Sequence, residues 1–289
     1  MDTRRLIHVQ DVCPIFVPGA IPSFEATRWN MAAGLWPNPT ATREYALTTT
    51  VTNNRLFSWQ RTFTQDNKPV RNPTSALIQL EEWVPSFENG SAERKGWLNF
   101  GIGRMQGIAT PPKEGPVEAK WSAHGKRHLK AFKKHPEITL RLAAFEELKQ
   151  PYAGSHIRAT MREAIWRMTQ RHVDVHPETI DILVAETEAD GIIAAFVAGN
   201  CVEASQSVYL LGFYLPPAIK TYAMTGLIAW WFERTREKNL ALCNFGDMCG
   251  PRPSPFNKER GYSIFKTHFG IQRTWLPKSY WRISIGAKP

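Results

Sequence analysis

Between Asp181 and Asn200 the chain reads DILVAETEADGIIAAFVAGN, two apolar runs on either side of Asp190-Gly191. Short runs rich in Ile and Val form strands, and a glycine after aspartate suits the tight reversal between them, so the segment predicts a buried antiparallel hairpin. A third run of the same kind, SVYLLGFYL from Ser207, follows within a few residues. Buried strands in this number need helices packed on them, and the flanking sequence carries helical periods.

HIRATMREAIWRMTQRH, residues 156–172, places Ile157, Met161, Ile165 and Met168 at intervals of four, four and three, one face of an amphipathic helix. The methionines read as core. WSAHGKRHLKAFKKHPE, residues 121–137, has a basic helical pattern with Leu129 and Phe132 on its apolar side, and a strand-like ITLRLAAF follows. After Pro216-Pro217, TYAMTGLIAWWFERTREKN reads as a helix, apolar at its start and charged at its end. It leads into the apolar ALCNF, the polar GDMCGPRPSP, the stretch GYSIFKTHFGIQRTW and a last strand YWRISI. The order is helix, strand, helix, three antiparallel strands, helix, strand, loop. It predicts an α+β fold with a mixed, mostly antiparallel central sheet and flanking helices. Strands are expected around residues 138–145, 180–186, 192–199, 207–215 and 240–246.

Upstream the character differs. EYALTTTVT (44–52), LFSWQRTF (56–63) and ALIQLEEW (76–83) look like short strands, and ATPPKEGP (109–116) concentrates Pro, Gly and charge as a connector does. Two domains are expected: a strand-rich N-terminal subdomain over residues 1–115 and a second domain over 116–289. No internal repeat or low-complexity tract is evident.

At 289 residues and 43% hydrophobic content the chain can bury a sizeable core. Its 36 Lys and Arg against 26 Asp and Glu give a formal charge of +10, which fits a polyanionic partner or simply a basic protein. Cys13, Cys201, Cys243 and Cys249 are too few and too irregular for a disulfide framework, which points to a reducing compartment. The N-terminus lacks the apolar core of a signal peptide, and no window approaches the roughly 18 apolar residues of a membrane-spanning helix. A cytoplasmic location is expected.

Several kinds of chemistry lack their pattern. His124 with His128, and His172 with His176, are spaced H-x-x-x-H without a neighbouring Glu and third ligand. The first pair lies among Lys126, Arg127 and Lys130, which repel a cation, and no metal is expected. Cys243 and Cys249 lack C-x-x-C partners and read as small apolar residues. There is no G-x-S-x-G elbow, and FGIGRMQG (100–107) has the spacing of a glycine-rich turn rather than of G-x-G-x-x-G. GYSIFKTHFGIQRTW (261–275) stands apart, for it interleaves rings, cations and glycines. It suits a packed strand with Lys266 snorkelling to solvent, a basic patch for nucleic acid, or the wall of a pocket for a reactive acyl group.

The basic WSAHGKRHLKAF helix, the YLLGFYLPP strand with its following helix, the strand end NFGDM and GYSIFKTHFG occur in that order over about residues 120–289. Together they resemble the GNAT acyltransferase fold, and more narrowly the Fem-like (FemABX) aminoacyl-tRNA-dependent transferases, whose motif Gly-aromatic-x-x-Phe-Lys-x-x-Phe-Gly is similar to GYSIFKTHFG. The resemblance implies a GNAT-like sheet, with residues 1–115 as a divergent GNAT-like subdomain. It implies an aminoacyltransferase that joins an amino acid carried on tRNA to an amine acceptor through an amide bond, with no cofactor. The acceptor would be a peptidoglycan precursor or a small peptide or natural-product intermediate, and neither DNA nor a transmembrane segment is implied. Acetyl-CoA-dependent members of the fold carry an Arg/Gln-x-x-Gly-x-Gly/Ala turn whose bare amides cradle pyrophosphate. Here that place reads PPAIKTYAMTG, and Fem-like members also lack the turn. The alternatives are an N-acyltransferase using acyl-CoA or a carrier protein, and a noncatalytic RNA-binding module.

The resemblance also assigns roles. Lys266 would offer its ammonium to the developing charge or to the terminal phosphate of tRNA, and Phe265 would form the adjoining apolar wall and stack on the terminal adenine. Asp247, at the end of a sheet strand, reads as the proton acceptor or amine-orienting carboxylate, or else as a loop cap. Tyr214 and Phe269 are expected beside the substrate. Lys126 and Arg127, with Lys130, Lys133, Lys134, Lys258, Arg260 and Lys278, suit an RNA-facing surface or a solvated helix face.

Overall fold

The computed structural model describes residues 39–43, 46–53, 55–64, 75–85, 96–98, 105–175, 177–202, 205–248, 260–275 and 280–286. The chain divides into two compact units, residues 1–105 with 274–289, and residues 106–273.

The first unit holds strands β1 (Pro39–Arg43), β2 (Ala46–Asn53), β3 (Phe57–Thr64), β4 (Ile78–Pro85) and, from the far end of the chain, β12 (Tyr280–Ile285). They pair in the order β1-β2-β3-β4-β12, antiparallel except for β3 with β4. The strand YWRISI therefore completes the first unit's sheet, although in sequence it follows the second part. The register explains the attraction: Tyr280 stands opposite Trp83 and Arg282 opposite Glu81. Trp83 is fully buried between the rings of Tyr280 (5.2 Å) and Trp97 (5.8 Å), while Arg282 bonds the buried Glu81 carboxylate and covers Trp97 at 4.7 Å.

The second unit is built on a seven-stranded sheet. Its order is β11 (Gln272–Trp275), β5 (Met105–Ala109), β10 (Leu242–Met248), β9 (Gln206–Tyr214), β8 (Gly191–Cys201), β7 (Ile180–Thr187) and β6 (Thr139–Leu142). The five strands expected between residues 138 and 246 are β6 to β10. β6, β7, β8 and β9 pair antiparallel, and β10 runs parallel to β9. Gly191, at φ +65°, starts β8 just after the reversal at Asp190, which is the conformation a glycine supplies without strain. The helices are α1 (Ala123–Phe132), α2 (Lys149–Ala153), α3 (Ala159–Val175), α4 (Pro216–Thr221), α5 (Ala223–Glu237) and α6 (Arg260–Lys266).

The central strands are buried on both faces. On one, Leu183, Phe196 and Phe245 pack with Leu227, Trp231 and Phe232 of α5. On the other, Val184, Val197 and Phe213 pack with Phe145, Tyr152 and Trp166. Strands covered this way lose the in/out alternation of an exposed sheet, which is why they read as continuous apolar runs. α5 approaches closely because Gly226 leaves room for the Phe132 ring, whose atoms stand 2.5 Å from where a Cβ would lie.

Of the three readings of GYSIFKTHFG, the packed strand is not formed: the segment is the short helix α6 continued by a 3-10 turn, Thr267–Phe269.

Candidate active site

An irregularity in β9 prepares the site. Along the β8–β9 ladder Val197 faces Leu211 but Ala198 faces Tyr209, so Leu210 is an extra residue. Such a bulge reverses the alternation of side chains beyond it. Tyr209 thereby joins the face of Gly212 and Tyr214, where without the extra residue it would share the face of Leu211 and Phe213.

The paired residues of β9 and β10 run from Leu242 with Gln206 to Asn244 with Val208. Just past them, the Lys266 ammonium donates to the carbonyl oxygen of Phe245 on β10 and stands 5.5 Å from the centre of the Tyr209 ring on β9. Lys266 is 2% exposed. A lysine on a strand edge would have reached water; the helical turn aims this one inward, between two strands, and an ion is costly there unless its surroundings stabilise it.

The other residues of the motif hold this arrangement. Phe269 is 1% exposed, packed edge-on against Trp121 (4.8 Å) and Phe265 (4.9 Å) and stacked with Phe245 (5.7 Å). Gly270 ends the turn at φ +68°, and a Cβ there would lie 2.7 Å from the Lys120 carbonyl oxygen, so the position demands glycine twice over. Ser122 caps α1 by accepting from the Gly125 N–H, and its hydroxyl also lies 3.2 Å from Nδ1 of His268. The Ser122 N–H donates to the His268 carbonyl. The start of the basic helix is thus tied to the end of the motif.

Lys266, Phe265, Tyr209, Tyr214 and Phe245 line an open-mouthed cavity of about 60 Å³, together with His156 from the segment between α2 and α3. Its wall is largely aromatic. The His156 ring stacks on Tyr214 at 3.9 Å and 11°. Burial lowers its pKa, an effect only partly offset by a hydrogen bond to the Tyr214 backbone. The imidazole is therefore neutral near neutral pH.

Of the residues expected from sequence, the structure brings Lys266, Phe265 and Tyr214 to one cavity. Phe269 lies in the core behind Phe265. Asp247 belongs to β10, but its side chain lies outside the described residues, as do Lys258, Lys278 and the side chain of Arg260. Lys126 and Arg127 lie on the exposed side of α1; Lys126 donates to the Ala119 carbonyl and Arg127 contacts the His124 ring at 2.7 Å. Lys130 and Lys134 are exposed, and Lys133 pairs with Glu118 at 3.7 Å. The rings of His124, His128 and His268 crowd beside this helix, and burial with the neighbouring His124, Arg127 and His268 lowers the pKa of His128. Among the described residues no cluster of three or more His, Cys, Asp or Glu is disposed to hold a metal. Sequence reasoning missed Tyr209 and His156. The bulge hides the first, and the second sits far from Tyr214 in sequence with no motif around it.

The turn after β9 differs from a pyrophosphate cradle in its donors. α4 opens with Pro216 and Pro217, neither of which has an N–H to offer an anion. Among the described residues no helix is long and apolar enough to cross a membrane.

No protein-family model matches the chain, and no curated protein sequence matches it. Solved structures do. FemX superposes with a TM-score of 0.67 at 10% identity, covering 89% of this chain and 91% of its own. L-PGS from Bacillus licheniformis gives 0.52 at 11% identity, with 90% of each chain covered. A tandem GNAT protein from the clavulanic acid biosynthesis pathway gives 0.50 at 9% identity, over 90% of this chain and 88% of that one. The bulged β9, its parallel neighbour β10 and the flanking helices thus belong to a GNAT-type α+β fold.

Proposed function

We propose that the protein is an aminoacyltransferase that takes an amino acid carried as an ester on tRNA and joins it to an amine acceptor, forming an amide bond. The observation that carries this reading is the Lys266 ammonium, buried where β9 and β10 cease to pair and lining an aromatic cavity. An aminoacyl ester is already activated. Attack by an amine forms the C–N bond and places negative charge on the carbonyl oxygen, and expulsion of the ribose oxygen then breaks the C–O bond. The protein must align the two reactants, stabilise the oxyanion and manage one proton. Lys266 supplies a preorganised cation for the oxyanion or for the terminal phosphate, and Phe265 and Tyr214 supply flat surfaces for the terminal base and the acyl group.

Three further features support the reading. FemX and L-PGS share the fold over nearly the whole chain. The net charge of +10 and the exposed cations of α1 suit a polyanionic donor. Pro216 and Pro217 stand where a CoA pyrophosphate would need amides, which favours tRNA over a CoA thioester. The acceptor class is a peptidoglycan precursor, a small peptide or a natural-product intermediate.

The test is an in vitro assay with a pool of charged tRNAs and candidate amines. Acceptor-dependent loss of aminoacyl label from tRNA is the expected result. Transfer from acyl-CoA or a carrier-protein thioester alone would replace the donor, and RNA binding without turnover would make the chain a noncatalytic module.

A further inference from the structure

Four polar side chains line the cavity: Lys266 of α6, Tyr209 and Tyr214 of β9, and His156. No carboxylate lines it among the described residues. Amide formation nonetheless releases a proton, because the amine nitrogen must lose one once the C–N bond has formed. An ammonium has no lone pair to receive it, and a phenol oxygen is a far weaker base than an imidazole nitrogen. Among the described residues His156 is the base that remains.

Its setting suits the task. The residue lines the cavity, and Tyr214 covers one face of its ring at 3.9 Å. The stack on Tyr214 orients the ring, and a neutral imidazole keeps a lone pair on one of its nitrogens. Partial burial lowers the pKa of the imidazole, and Lys266 is the charged group facing the same space.

We infer that His156 takes the proton released by the acceptor amine as the C–N bond forms, and returns it to the departing ester oxygen as the C–O bond breaks. The inference rests on the acyl-transfer reading above but not on the donor being tRNA, since a thioester sulfur would receive the same proton.

The test is single-turnover transfer to lysine and to glycinamide between about pH 5 and pH 9. It uses charged tRNA and, in parallel, an aminoacyl thioester as donors. The wild type should show an acid limb beyond that of the acceptor amine itself, with the rate rising as pH climbs through the lowered His156 pKa. His156→Gln should melt like the parent, transfer about a hundredfold more slowly and lose that limb. His156→Ala should regain rate with added imidazole. A wild-type profile without the extra limb, or a His156→Gln variant that keeps the parental rate and limb, overturns the role of His156 and leaves the proposed function standing. A wild type inert toward both donors overturns both.

Discussion

Two buried charges of the second unit, Asp181 and Lys266, keep different company. The Asp181 side chain, 6% exposed, receives Lys238 at 2.7 Å, Arg234 at 3.0 Å and the Asn200 amide at 3.0 Å. Burial alone would raise its pKa, yet the bonds from Lys238, Arg234 and Asn200 outweigh that and hold it below the ordinary value. The carboxylate ties the last turn of α5 to β7 and β8, with countercharges filling the space around it. Lys266 is just as buried, but it lines an open cavity, where it donates to the Phe245 carbonyl beside the Tyr209 ring. A buried charge matched by opposite charges clamps a fold. One that borders open volume is available to a ligand.

The sharpest way to break this comparison is at Asp181. Asp181→Ala leaves two cations facing a low-dielectric site and should cost on the order of 3 kcal/mol in urea unfolding, with little change in transfer rate while the protein is folded. The sign of the pH dependence follows from the lowered folded pKa. This stability is fully present above the unfolded carboxylate value of 3.8 and is lost as pH falls through the folded pKa. Asp181→Asn should flatten that acid decline. A cost near zero, or a rate defect in the folded variant, would merge the two classes of charge.

Lys266→Met comes next. It keeps the buried stem and removes the ammonium, so it should slow single-turnover transfer about a hundredfold, whereas the Phe245 carbonyl, left without this donor, should cost only about 1–2 kcal/mol of stability. A folded variant transferring at the parental rate would return Lys266 to a structural role.

The smallest effects belong to α1. Charge reversal at Lys126 or Arg127 should weaken tRNA binding several-fold and lower the salt slope of the binding constant by about one for each phosphate no longer neutralised, with unchanged melting. Binding measured over a salt series checks this, and a salt-independent affinity would place the RNA elsewhere.

Much of the second unit was legible because its signals are local. The apolar runs of β7, β8 and β9 and the helical periods of α1, α3 and α5 each lie within one window of sequence. Lys266, Phe265 and Tyr214 were reachable through a motif and a strand end. Phe269 was expected at the substrate because it shares the motif, yet its ring packs against Trp121 and Phe245 from distant segments. Tyr209 escaped because one extra residue in β9 changes its face, and a bulge carries no local mark. His156 reaches Tyr214 across 58 residues, and β12 finds β4 across nearly two hundred, distances over which periodicity says nothing.

A resemblance singled out the lysine between phenylalanines, whereas the sequence by itself determined which segments become strands or helices and that the sheet would be covered by helices. Those outcomes follow from side-chain periodicity and turn chemistry, which act over a few residues. The tertiary structure alone decided that this lysine lies on a helical turn pointing inward, that a histidine shares its cavity and that the last strand belongs to the first sheet. Each depends on pairing and packing between distant segments, where the free energy comes from burying complementary surfaces that no single window contains.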